Sequence, residues 1–187
     1  MIAARRRFAL LLACCILPSS LSAHRLDEYL QATIVSIEPG DIRNQINLTP
    51  GVAVAERVLA LIDRNRDGLI STNEAWAYAE MLRADLRVQI GGRRVEFGIS
   101  DFNFTDVSDL HTGSGIVQIE FVLMAKSLTP GPHIVGIANH HLPAFSVYLI
   151  NAAQPATESI QITKQARNKN QSRGKIHFNV AALRDPK

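Results

Sequence analysis

The residue types best suited to chemistry fall in one run, Asp63-Arg64-Asn65-Arg66-Asp67-Gly68-Leu69-Ile70-Ser71-Thr72-Asn73-Glu74. Counting from Asp63, oxygen-bearing side chains recur at positions 1, 3 and 5, with glycine at 6, an apolar residue at 8, serine at 9 and a carboxylate at 12. A hard cation such as Ca²⁺ takes about six to eight oxygens, and this spacing wraps them around one centre. Asp63, Asn65 and Asp67 would each present an oxygen from alternate residues. Gly68 permits the sharp turn after which the Leu69 carbonyl faces the ion, and Ser71 adds an oxygen directly or through water. Glu74 closes the sphere with both carboxylate oxygens, while Ile70 packs its side chain beneath the loop. Arg64 and Arg66 offset two of the three carboxylate charges and leave −1. Such a weak pull points to the extracellular affinity class of about 10⁻⁴–10⁻³ M.

The other reactive residue types are less well arranged. Six histidines occur, His24, His111, His133, His140, His141 and His177. His24 is the expected first residue of the mature chain, where amine and imidazole would chelate a transition metal together. The adjacent pair His140-His141 points to opposite faces of an extended segment, which argues against both binding one ion. His177 alternates with Ile176 and Phe178 and reads as solvent-facing. Surface or loop histidines are the expected outcome. An enzyme is not expected, because no serine sits in a nucleophile elbow and no HExxH or phosphate-loop pattern occurs. Asp27 and Glu28 are neighbours that would face opposite sides of a strand, and Gly113-Ser114-Gly115 reads as a loop before a strand.

The metal-type loop needs helices to hold its ends, and the flanking sequence has helical period. Val54, Val58, Leu61 and Ile62 form an apolar stripe, with Thr49-Pro50 as the expected N-cap and first-turn proline. Ala75, Tyr78, Ala79 and Leu82 line one side of a second helix, expected over about 73–84. From Val52 to Ala84 the chain resembles the EF-hand calcium-binding family, and every ligand position matches. A second hand is missing: Asp101–Asp106 lacks the glycine, and its position 12 is Thr112.

Outside this segment the period is two. Strands are expected at Tyr29–Ile37, Ile42–Leu48, Val117–Leu123, His133–Ala138, Phe145–Ile150, Ser159–Lys164 and Lys175–Val180. Gly91-Gly92 marks a hairpin placing Val88 opposite Val95 and Leu86 opposite Phe97. The polar, basic stretch Gln165–Gly174 reads as a mobile loop. About eight short strands with turns between them predict an α+β, mainly β chain, an antiparallel β-sandwich-like domain with an inserted helix-loop-helix.

Arg5-Arg6-Arg7, the apolar run Phe8–Leu17 and Leu21-Ser22-Ala23 read as a secretory signal peptide over 1–23, leaving one domain over 24–187. Leu11-Leu12-Ala13-Cys14 resembles a lipobox, so a lipid anchor on Cys14 is the alternative to a free periplasmic or extracellular protein. Cleavage after Ala23 removes three of 20 Lys+Arg and none of 17 Asp+Glu, so the mature net charge is zero. That removes the support for a nucleic-acid partner. Both cysteines, Cys14 and Cys15, lie in the leader, which excludes thiolate metal sites and disulfides downstream.

A wider resemblance covers most of 23–180. Ala23-His24-Arg25-Leu26-Asp27-Glu28-Tyr29-Leu30-Gln31-Ala32-Thr33, Leu48-Thr49-Pro50-Gly51-Val52-Ala53-Val54 and Ser146-Val147-Tyr148-Leu149-Ile150-Asn151-Ala152 are similar to bacterial extracytoplasmic domains. Those domains stand ahead of membrane regions of the hydrogenase/urease-accessory nickel-permease type. The resemblance implies a cell-envelope role beside a membrane partner. It also frames the alternative function, nickel or copper handling through His24 and other histidines.

Overall fold

The computed structural model describes residues 27–124 and 128–182. The expected leader, Cys14 and His24 lie outside them. The order is β1 (Tyr29–Ile37), β2 (Asp41–Pro50), α1 (Val52–Ile62), α2 (Thr72–Asp85), β3 (Leu86–Ile90), β4 (Arg93–Arg94), β5 (Gly98–Phe104), α3 (Val107–Thr112), β6 (Val117–Met124), β7 (Gly131–Asn139), β8 (Ser146–Ala152), β9 (Ile160–Arg167) and β10 (Arg173–Val180). The chain is mainly β, with two five-stranded sheets ordered β5-β6-β2-β1-β8 and β4-β3-β7-β10-β9. Among the described residues no helix is long and apolar enough to cross a membrane.

Alternation explains the strands. In β1, Tyr29, Gln31, Thr33, Val35 and Ile37 are buried while the intervening residues are half-exposed or exposed, which is the period-two signature of a sheet with one covered face. β2 repeats it through Ile42, Asn44, Ile46, Leu48 and Pro50. The pairing is antiparallel with one departure from expectation: β1 and β8 run parallel, Tyr29 opposite Ser146 and Val35 opposite Ala152.

Two buried clusters organise the interior. In one, Val54, Val58, Leu59 and Ile62 of α1 and Tyr78, Ala79 and Leu82 of α2 pack with Tyr29, Ile46, Leu48, Ile119 and Phe121 of the first sheet. In the other, Val35, Ile37 and Ile42 of the first sheet join Val88, Val135, Ile137, Ile176 and Phe178 of the second. The helix-loop-helix is therefore seated on the first sheet by its apolar stripe. Each fully buried Leu, Ile or Val contributes about 1.5–3 kcal/mol relative to exposure.

Several expectations are corrected. The β1–β2 ladder runs on to Tyr29 opposite Pro50, and the Gly51 N–H donates to the Glu28 carbonyl at 2.9 Å. The extended chain thus outlasts Thr49-Pro50, and Gly51 caps α1 without a side-chain bond. Leu59 is buried in the α1 stripe, whereas Leu61 is only partly covered. The Gly91-Gly92 hairpin forms, and Val95 donates to the Val88 carbonyl at 3.1 Å, but strand structure stops at Arg94. Phe97 instead meets Phe121 edge-on, ring centroids 5.7 Å apart. Half of Gln165–Gly174 forms the ends of β9 and β10, and Asn168 and Asn170 side chains tie the turn between them together.

β5 and α3 were not expected. β5 hides because its register against β6 shifts between Ile99 and Asp101, which breaks the two-residue period. After α3, Gly113 takes φ 76° as the helix ends, so Gly113-Ser114-Gly115 is a helix terminus as well as a loop. Gly115 lies so close to the α3 backbone that a Cβ there would sit 2.5 Å from the Leu110 nitrogen and 2.5 Å from Thr105 Oγ1. Gly115→Ala should therefore cost about 1–3 kcal/mol of stability, measured by denaturant unfolding; an unchanged midpoint would contradict it.

Candidate metal centre

The 63–74 loop runs from the last turn of α1 to the first turn of α2. Asp63 caps α1, its N–H donating to the Leu59 carbonyl at 2.8 Å, and the residue is only 7% exposed. Its carboxylate accepts from the Asp67 N–H at 3.2 Å and the Gly68 N–H at 3.0 Å. Asn65 Oδ1 accepts from the same Asp67 N–H at 3.0 Å, and Asp67 Oδ1 accepts from the Leu69 N–H at 2.9 Å. The first three candidate residues therefore curl their oxygens toward a shared turn. Two left-handed residues make that turn, Arg66 at φ 60° and Gly68 at φ 80°. Glycine takes that conformation freely, and at Arg66 it is less favourable.

Glu74 closes the loop from the far side. Oε1 accepts from the Arg64 N–H at 2.9 Å and the Asn65 N–H at 3.3 Å, while Oε2 accepts from the Ser71 N–H at 3.0 Å and the Ser71 hydroxyl at 2.6 Å. With Ser71 Oγ accepting from the Glu74 N–H at 3.3 Å, the pair forms a reciprocal capping box that starts α2. The Ser71 hydroxyl, and after it the backbone donors, pull the Glu74 carboxyl below its ordinary pKa and keep it ionised. Ile70 is packed against the first cluster, and the Leu69 side chain is 71% exposed.

The donor chemistry suits a hard cation better than a soft one. Carboxylate, amide, hydroxyl and backbone carbonyl oxygens alternate around the loop, and no nitrogen or sulfur ligand is among them. Among the described residues no three His, Cys, Asp or Glu side chains gather into a group able to hold a metal, and this includes Asp63, Asp67 and Glu74, whose oxygens accept instead from backbone N–H groups of the loop. The described histidines are dispersed. His111 Nε2 lies 2.7 Å from Glu56, His133 Nε2 lies 2.7 Å from the Thr129 carbonyl, His140 is exposed and His177 is half-buried.

His141 lies in the loop between β7 and β8, within the expectation of surface or loop histidines, yet it is fully buried. Its Nδ1 lies 2.8 Å from Asp85 Oδ2 and its Nε2 3.1 Å from the Tyr78 hydroxyl, which is 2.6 Å from the Tyr29 hydroxyl. A carboxylate only accepts, so Nδ1 carries the proton and Nε2 accepts from Tyr78, which in turn accepts from Tyr29. Around it, Gln31 and Tyr148 donate to the His141 carbonyl at 2.9 Å each, and the Asn139 side chain accepts from its N–H at 2.9 Å. Burial pushes the imidazole pKa down, and the Asp85 hydrogen bond and charge pull partly against it. His141 thus holds α2 through its neutral ring, and β1, β7 and β8 through its backbone carbonyl and N–H. A histidine between turn residues carries little sequence signal for such a role, because its ring partners Asp85 and Tyr78 lie 56 and 63 residues away along the chain.

No protein-family model, curated protein or solved structure matches this chain.

Proposed function

We propose that this protein is an exported calcium-binding module of the cell envelope, a β-sandwich-like domain whose inserted helix-loop-helix is a single EF-hand. Oxygens of Asp63, Asn65, Asp67, Ser71 and Glu74 and the Leu69 carbonyl would hold the ion. The observation that carries this reading is the reach of Glu74 back across the loop to the N–H groups of Arg64 and Asn65. It brings the carboxylate at position 12 against the segment holding positions 1 to 5, where a closing ligand belongs. Calcium would cross-link the ends of α1 and α2 and supply no reaction chemistry. The role is structural or one of interaction, with a membrane or envelope protein as the partner class.

Calorimetric titration of the mature chain with Ca²⁺, Mg²⁺, Ni²⁺ and Cu²⁺ tests it. One Ca²⁺ should bind per chain with Kd of about 10⁻⁴–10⁻³ M. Absence of Ca²⁺ binding would overturn the reading. Stoichiometric Ni²⁺ or Cu²⁺ binding abolished by His24→Ala would establish the nickel- or copper-handling alternative in its place.

A further inference from the structure

The net charge of zero expected for the mature chain conceals a one-sided distribution. From Ser159 to Ala182 there is no Asp or Glu, while Lys164, Arg167, Lys169, Arg173 and Lys175 carry five positive charges. This stretch is the β9–β10 hairpin. On the face of the second sheet opposite its buried residues, register aligns Arg87 with Ala138 and Ala138 with Arg173, and one step along aligns Gln89, Gly136 and Lys175. Strands lie about 4.8 Å apart, so Arg87 and Arg173 flank Ala138 with their backbones about 10 Å from each other. Small residues thus make a floor between cationic walls, and a groove of about 500 Å³ opens there with no acidic residue in its lining.

Among the described residues no carboxylate forms an ion pair with Arg87, Arg173 or Lys175. Arg87 Nη1 donates to the carbonyls of Ala84 and Leu86 at 2.7 and 2.9 Å, which fixes the guanidinium without cancelling its charge. Arg167 is committed elsewhere, bonded to the Ile150 carbonyl and Asn151.

We propose that this groove is a second binding site, taking a phosphate group between Arg87, Arg173 and Lys175. A phosphate carries oxygens in several directions and up to two charges, which matches one guanidinium fork from β3 and a guanidinium and an ammonium from β10. The phosphate is either the free ion or the headgroup of an anionic phospholipid.

Amide chemical shifts of the full chain, in EDTA to keep the 63–74 loop out of the result, follow titration with inorganic phosphate. A second arm measures co-sedimentation with phosphatidylglycerol vesicles against phosphatidylcholine vesicles. R173Q/K175Q should weaken binding by about tenfold or more, since hydrogen bonds to charged groups are lost. Gly136→Val should weaken it similarly without removing a charge, because its side chain rises from the floor; a Cβ there meets nothing nearer than the Gln89 side chain at 3.7 Å, and a urea midpoint equal to wild type checks that the fold is kept. R93Q/R94Q removes two exposed charges outside the groove and should leave binding unchanged. Phosphate binding with this pattern supports the site and a soluble ligand; vesicle binding alone with this pattern supports the site and a lipid headgroup. No binding in either arm, or an equal loss in R93Q/R94Q, overturns the proposal.

Discussion

Replacing His141 by alanine should cost about 3 kcal/mol or more of folding stability. The side chain is fully buried, so its removal leaves a cavity, and it takes away the acceptor of the buried Tyr78 hydroxyl, while the 41% exposed Asp85 carboxylate turns to water. A pH dependence follows from the same contacts. The folded imidazole has its pKa lowered from the ordinary 6.5, so between that value and the folded one the unfolded chain binds more protons. Stability from this group is therefore complete above about pH 6.5 and is lost as pH falls toward the folded pKa. Protonation of Nε2 would reverse the hydroxyl chain and leave the Tyr29 hydrogen without an acceptor, since Tyr78 is its hydrogen-bond partner among the described residues. Asp85→Asn removes the charge that holds the folded pKa up, so its stability should keep falling to lower pH than wild type. Urea unfolding between pH 7.5 and 4.5 measures both curves. A wild-type curve that is flat below pH 6.5, or one that Asp85→Asn leaves unchanged, would contradict the assignment.

How much of this was legible depends on whether the signal was local. Tyr29–Ile37, with its clean two-residue period, coincides with the expected span residue for residue, and the expected Ile42–Leu48 lies within the longer Asp41–Pro50. The α2 face of Ala75, Tyr78, Ala79 and Leu82 is buried as its spacing requires. The loop between α1 and α2 was legible because its information lies within twelve consecutive residues, whereas the capping box of Ser71 and Glu74 was not among the expectations. β5 was not, because a register shift erased its period, and the parallel pairing of β1 with β8 joins segments more than a hundred residues apart. The basic hairpin shows the limit of composition. Gln165–Gly174 reads as a solvated loop on charge alone, yet tertiary register sets Arg173 and Lys175 opposite residues of β7, with Arg87 on the strand beyond.

Glu74→Gln should abolish most Ca²⁺ binding while leaving the apo fold intact. Glutamine can still serve in the capping box with Ser71, so α2 keeps its start, and the bidentate anionic ligand is what disappears. In the apo protein the carboxylates of Asp63, Asp67 and Glu74 repel across a loop held by backbone N–H donors. Neutralising that repulsion should tighten the helix pair more than it moves it, because Val58, Leu59, Ile62, Tyr78 and Leu82 are already seated on the first sheet. At free calcium tenfold above Kd, folding gains about 1.4 kcal/mol. Hydrogen exchange with and without Ca²⁺ measures where that gain falls. Wild type should become protected over residues 52–85, with the β9–β10 hairpin as an internal control because it shares none of the first cluster. Glu74→Gln should show no such gain at the same calcium level. Protection spread evenly over both sheets would mean that the ion acts on the whole domain, and wild type without any protection would mean that the loop binds no calcium.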